Sequence, residues 1–163
     1  KLDPYSVDDL LTGPQHYDAG LVEESGMFRT RPVGVVDREG HILHFGTLPQ
    51  YVPDLVMELL DWAKNSKVHT LIRSCVFHYE FELIHPFADG NGRMGRLWHT
   101  LLLSKWNSAF AWLPVESIIH DRQQEYYEAI NASNGAGEST VFIEFMLSAI
   151  KASLIDAINT NDE

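Results

Sequence analysis

The stretch His85-Pro-Phe-Ala-Asp-Gly-Asn-Gly-Arg-Met-Gly-Arg96 gathers a histidine, a carboxylate, a glycine-rich turn and two arginines in one short run. Gly90 and Gly92 permit positive φ and close backbone approach, so successive amide N–H groups can converge on an anion, and a helix starting there adds its positive end. Arg93 and Arg96, three apart on such a helix, can both lean over its N-terminal end and form paired bonds to phosphate oxygens. Asp89 suits a Mg²⁺ ion held between phosphates, because that hard cation takes few protein carboxylates and completes its shell with phosphate and water. His85 is the one side chain of the set whose ordinary pKa, about 6.5, allows proton uptake near neutrality. Together these residues describe a polyanion grip beside a general base: a nucleoside triphosphate attacked by an incoming hydroxyl, with arginines, amides and metal carrying the charge. The pattern GxxxxGK[ST] does not occur, so this phosphate loop is not the ordinary P-loop.

Helices must hold this loop. From Pro49, the residues Val52, Leu55, Val56, Leu59 and Leu60 follow helical spacing, with Pro53 in a first turn and Asn65 near the stop. Leu71, Ile72, Cys75, Val76, Tyr79 and Leu83 continue at three-and-four spacing to Pro86, which makes the preceding residue a boundary and places His85 at or just after a helix C-terminus. After the glycine loop, Leu97, Trp98, Leu101, Leu102 and Trp106 make a helix apolar around most of its circumference, suited to the centre of a bundle. Two further helices are expected at about 121–133 and 139–158, with 131–140 as a loop. Between Arg31 and Phe45, two β-branched runs flank Asp37-Arg-Glu-Gly40 and predict a hairpin. A lone hairpin is marginal in water, so this one must pack on the helices or offer an edge to another chain.

The segment resembles the signature of the Fic (filamentation-induced-by-cAMP) family, HxFx[D/E]GNGRxxR, and fills all eight of its fixed positions. The resemblance implies an all-α fold, a Fic-type helical bundle with one β-hairpin flap, and a protein adenylyltransferase moving AMP from ATP to a Ser, Thr or Tyr hydroxyl of a target protein. Carried over residue by residue, His85 is the base and Phe87 the buried anchor of the loop. Asp89 is the Mg²⁺ ligand, Gly90, Asn91 and Gly92 the phosphate cradle, and Arg93 and Arg96 the contacts to the β- and γ-phosphates. The likeness runs from about residue 26 to 158. Gly26-Met-Phe-Arg29 and the strand run after it resemble the approach to the flap, which is expected to hold a target segment by strand addition. Tyr126, Tyr127 and Asn134 are similar to the element lining base and ribose. Adjacent helical residues point about 100° apart, so one of the two tyrosines, Tyr127, is favoured to face the nucleotide. Other versions of the loop phosphorylate, transfer phosphocholine or remove AMP; the Gly-Asn-Gly-Arg wording favours AMP transfer.

Many relatives are restrained by a helix carrying [S/T]xxxE[G/N]. No copy occurs here: the only Glu-Gly pair, Glu39-Gly40, has Val35 four positions earlier. Inhibition is therefore expected from residues outside this sequence or from a small antitoxin-like partner. The first residue is Lys1, and the chain is read as one Fic domain spanning 1–163, a fragment of something longer.

Simpler readings accompany these. Of the eight histidines, His78 is expected in the core, and His41 and His44 on the flap surface. Trp98 and Trp106 are expected in the core. Gly95 inside a helix costs about 1 kcal/mol relative to alanine and implies a close approach by another helix or a ligand. His120-Asp121 suggests an HD-type metal phosphohydrolase as an alternative, although Asp121 more simply caps a helix. A second alternative is a non-catalytic peptide-binding module using the flap edge. The formal charge of −11, from 12 basic and 23 acidic residues, disfavours nucleic-acid binding. A single cysteine, Cys75, in an apolar run fits the reducing cytoplasm, and neither a membrane span nor a leader is legible.

Overall fold

The computed structural model describes residues 2–17, 26–36 and 39–161. Its helices are α1 (Val7–Tyr17), α2 (Val52–Asn65), α3 (Thr70–Ile84), α4 (Asn91–Trp106), α5 (Val115–Asp121), α6 (Gln123–Ala136) and α7 (Thr140–Asn161), with 3₁₀ turns at Pro49–Tyr51 and Ser108–Trp112. Strands β1 (Gly34–Val36) and β2 (Ile42–Phe45) form the two-stranded antiparallel sheet. This is the all-α bundle with one hairpin that the sequence leads one to expect. Among the described residues, no helix is long and apolar enough to cross a membrane.

α2 buries the stripe Val52, Val56, Leu59, Leu60 and Ala63, and Pro53 stands in its first turn, where a missing N–H costs nothing. α3 is apolar on two sides because it separates two cores. Phe77, Phe81 and Ile84 pack with Leu10, Val56, Phe87, Met94 and Trp98, whereas Cys75 and Tyr79 pack with Leu103, Tyr126, Phe142 and Met146. α4 lies alongside α3, and these two helices form the centre of the bundle. α1 is an element the periodicity does not announce. Its Leu10 is fully buried in the first core, and the Pro4 carbonyl before it accepts the Trp98 indole N–H at 3.0 Å.

The structure corrects four local expectations. Residues 131–136 are helical, and only 137–139 form the loop, because Ser133 is buried at the α6–α7 junction and donors at Gly137 and Glu138 close the helix end. Gly137, with φ 69°, makes the stop that the first glycine, Gly135, does not. Asp121 caps no helix; it ends α5, a short helix held by buried Val115 and Ile119, and α6 starts after Arg122. Trp98 is fully buried, but Trp106 is 47% exposed on the last turn of α4, against His69 and Phe110. His44 is not a surface residue of the flap: its Nε2 lies 2.9 Å from the Leu83 carbonyl and ties β2 to the end of α3. The expected hairpin is present, and its register (Gly34 with Phe45, Val35 with His44, Val36 with Ile42) contains an irregularity after Val35. Asp37 and Arg38 of its turn lie outside the described residues.

Candidate active site

α3 ends where Pro86 forbids its continuation, and His85 takes the left-handed conformation, φ 52° and ψ 63°. For a side chain with a Cβ this is strained backbone, held in place by its surroundings. Those surroundings are identifiable. The His85 N–H donates to the Phe81 carbonyl at 2.9 Å, and its own carbonyl accepts from Arg29 Nε at 2.6 Å. Arg29 is 2% exposed and also donates to the carbonyls of Arg31, Thr47 and Ile84, while its N–H donates to Pro86. One guanidinium thus clamps the approach to the flap, the chain after the flap and the end of α3.

The loop is braced from inside. Phe87 is buried between Phe28 and Phe81, and both its backbone groups are taken by the amide of Asn91: the Phe87 N–H donates to Oδ1 and the Phe87 carbonyl accepts from Nδ2, each at 2.8 Å. Gly90 caps α4 with φ 80°, a turn that a residue with a Cβ enters only at a cost. From there the first N–H groups of α4 open onto the same space as the His85 ring.

That space is a cavity of about 520 Å³ lined by His85, Asp89, Gly90, Asn91, Gly92, Arg93, Arg96 and Tyr127, with Val33 and Gly34 of the hairpin and Gln123 of α6 completing the wall. Asp89 is exposed; its Oδ1 accepts the Gly90 N–H at 2.7 Å and its Oδ2 lies 3.9 Å from Arg93. Arg96 donates from Nε to Glu116 of α5 at 3.1 Å. Tyr127 faces this cavity and the adjoining ones, whereas Tyr126 is buried, its hydroxyl 2.9 Å from His78 Nε2. Asn134 is not among the residues lining the cavity; its Oδ1 accepts the Tyr79 hydroxyl at 2.7 Å. Gly95 faces α3, where a Cβ would stand 2.8 Å from Glu82 Oε1 and 3.3 Å from the His78 ring, so the close approach is by a helix.

Burial pushes the His85 imidazole down to about 4; the Glu82 backbone carbonyl pulls the other way, and Arg29 and His44 reinforce the drop. The ring is therefore neutral at neutral pH and ready to accept a proton. A Mg²⁺ ion would find one carboxylate here, Asp89, and phosphate oxygens would have to supply further ligands, which suits a cation that binds with a nucleotide. His120 and Asp121 are both exposed and pair with each other, and among the described residues no group of three His, Cys, Asp or Glu side chains could hold a metal alone.

The sequence reading does not single out Arg29, Glu82, Glu116 or Gln123. Arg29 lies in the Gly26–Arg29 segment, yet three of its four carbonyl partners, at Thr47, Ile84 and His85, are distant in sequence. Glu82 had a legible signal, since it lies three before His85 and four after His78 on one helix.

The model of the Fic/DOC family matches residues 8–103, more than half of the chain. The chain belongs to the Fic/DOC family. A Fic family protein from Desulfovibrio desulfuricans G20, known as a crystal structure, superposes with a TM-score of 0.94 at 44% identity, covering 99% of this chain and 49% of that one. The Caenorhabditis elegans protein adenylyltransferase fic-1 is 30% identical over 169 residues, which cover 99% of this chain and 31% of the relative. A segment of Fic-1 from C. elegans, known as a solved structure, has a TM-score of 0.71 at 25% identity over 96% of this chain and 44% of that one. The Fic chain described here thus spans half or less of the length of these relatives.

Proposed function

We propose that this Fic chain is a protein adenylyltransferase, transferring AMP from ATP to a Ser, Thr or Tyr hydroxyl of a target protein and releasing pyrophosphate. The observation that carries this reading is the convergence on one cavity of a neutral His85, the opening of α4 and both arginines. The names of several relatives as protein adenylyltransferases support it.

The amides from Gly90 to Gly92 and the N-terminus of α4 receive the phosphates, and Arg93 and Arg96 take the β,γ end. For Gly90 and Arg96 this requires exchanging Asp89 and Glu116, respectively, for a phosphate oxygen. Tyr127 and Gln123 border the side from which a base and ribose would enter. Asp89 would hold Mg²⁺, which supplies neutralisation of the phosphate charge when bound. His85 takes the proton of the target hydroxyl, the hydroxyl oxygen bonds to the α-phosphorus, and the bond from that phosphorus to pyrophosphate breaks. Val33 and Gly34 at the cavity wall place the hairpin edge beside the reacting groups, and the target segment pairs with that edge. Restraint by a family-type inhibitory helix would come from a segment outside these residues or from a partner, because the motif is missing from this sequence.

The test is a pair of incubations with Mg²⁺ and a cell lysate, one with ATP labelled at the α-phosphate and one at the γ-phosphate. The expected result is protein-bound label from the first alone. Label from the second indicates phosphorylation, phosphate release without protein label indicates a hydrolase, and inertness in both indicates a peptide-binding module; each contradicts the proposal.

A further inference from the structure

The grip and the base leave a buried acid without a task. Glu82 stands one turn before His85 on α3, its side chain 9% exposed, with Oε2 3.8 Å from His85 Nδ1 and Oε1 3.8 Å from His78 Nε2. α4 presses on it at Gly95, whose absent Cβ leaves the space that Oε1 occupies. Arg96 of the same helix bears on the carboxylate electrostatically, and His99 faces the His78 ring at 5.6 Å between centroids. From α6, the Tyr126 hydroxyl lies 2.9 Å from His78 Nε2 and acts on the Glu82 carboxylate, favouring its charged form. A carboxyl enclosed on every side and turned toward a strained histidine is an arrangement with a cost, since a buried charge must be balanced by its neighbours.

We infer that Glu82 is a positioning residue for the base: its carboxylate holds the Nδ1 side of the His85 ring so that Nε2 meets the hydroxyl, and balances the imidazolium once the proton arrives. The inference rests on His85 being the base. Glu82 itself exchanges no proton in the step; the hydroxyl proton goes to Nε2 while the oxygen bonds to phosphorus and pyrophosphate leaves. At 3.8 Å the contact is longer than a hydrogen bond, as catalytic contacts in unliganded enzymes often are before the substrate closes them. The need for it is physical. A base pushed down to about 4 is weak at neutral pH, and an opposite charge within about 4–6 Å restores roughly 1–3 pKa units. Burial in turn pushes Glu82 up to about 7, against the pull of Arg96 and Tyr126, so the carboxylate form emerges through neutrality.

Glu82→Gln keeps the shape and removes the charge. Single-turnover labelling of protein from α-labelled ATP should fall roughly tenfold in maximal rate, with the KM for ATP unchanged, and the rise in rate between about pH 6 and 8 should flatten. A wild-type rate, or a rise through pH 7 retained in the variant, overturns the inference. The ionisation of ATP is common to both proteins and so cannot produce the difference. The unmodified protein supplies a test independent of the variant's folding: nitrogen resonances of the His85 ring should shift through pH 7 as the carboxylate forms beside Nδ1, and ring signals flat over that range overturn the inference. If His85→Ala abolishes labelling while Glu82→Gln does not weaken it, this inference alone fails; if His85→Ala labels normally, the base assignment itself fails.

Discussion

The Asn91 side chain holds both backbone groups of Phe87, at 2.8 Å each. The residue that the signature places in the phosphate cradle thus directs its amide inward, 2% exposed, and fixes the bend that aims the neighbouring N–H groups outward. Asn91→Ala leaves a buried donor and acceptor unpaired, at about 1–3 kcal/mol for each such group. The expected outcome is a lower melting temperature together with a raised KM for ATP, measured by thermal denaturation and initial rates. A loss of ATP affinity at unchanged stability would contradict the bracing role.

Arg29 makes a second prediction, because its planar fork serves four carbonyls from one buried position. Arg29→Met should cost about 3 kcal/mol or more, or roughly 6–12 °C in melting temperature for a chain of this size. Arg29→Lys should recover little of it, since a single ammonium cannot reproduce the fork.

Much of this arrangement was legible before the fold was known, and the part that was not has a common cause. The end of α3 at His85, the hairpin and the grouping of Asp89, Arg93 and Arg96 follow from local signals: Pro86, the turn residues and the spacing on one helix. Gly95 announces a close approach, but only α3 packed against α4 shows that the neighbour is Glu82. Arg29 and His44 act mainly through backbone carbonyls 18 to 56 residues away, and carbonyls carry no sequence signal. Asp121 reads as a cap because the short helix α5 before it, held by Val115 and Ile119, is too brief to show periodicity.

Glu116 competes with phosphate for Arg96 in the ligand-free site. The pair is largely exposed on the glutamate side, which limits its strength to about 0–1 kcal/mol. Glu116→Ala should therefore lower the KM for ATP by roughly two- to fivefold at low salt, with less effect as salt is raised. An unchanged or raised KM would show that the contact does not oppose binding.

Acidification should destabilise the fold. His85 and His99 are both pushed down to about 4 by burial, and His78 is lowered well below its ordinary value by burial with His99 and Arg96 nearby. Each binds its proton more readily unfolded, so stability present above about pH 6.5 is lost as pH falls toward 4. Glu82, raised to about 7, works in the opposite direction, gaining stability as pH falls from 7 toward 4.5. Burial raises Glu80 as well, and three histidines against these two glutamates give a net loss, which urea unfolding at pH 7 and pH 4.5 should register as a lower midpoint at the acid value; an equal or higher acid midpoint would contradict these assignments.

The most direct measurement is label transfer from α-labelled ATP to protein by the unmodified chain and by His85→Ala, each at saturating ATP with Mg²⁺. The account predicts that the variant binds ATP as before and loses at least about a hundredfold in transfer rate, the usual contribution of a positioned general base. Transfer at the wild-type rate without the imidazole would contradict it.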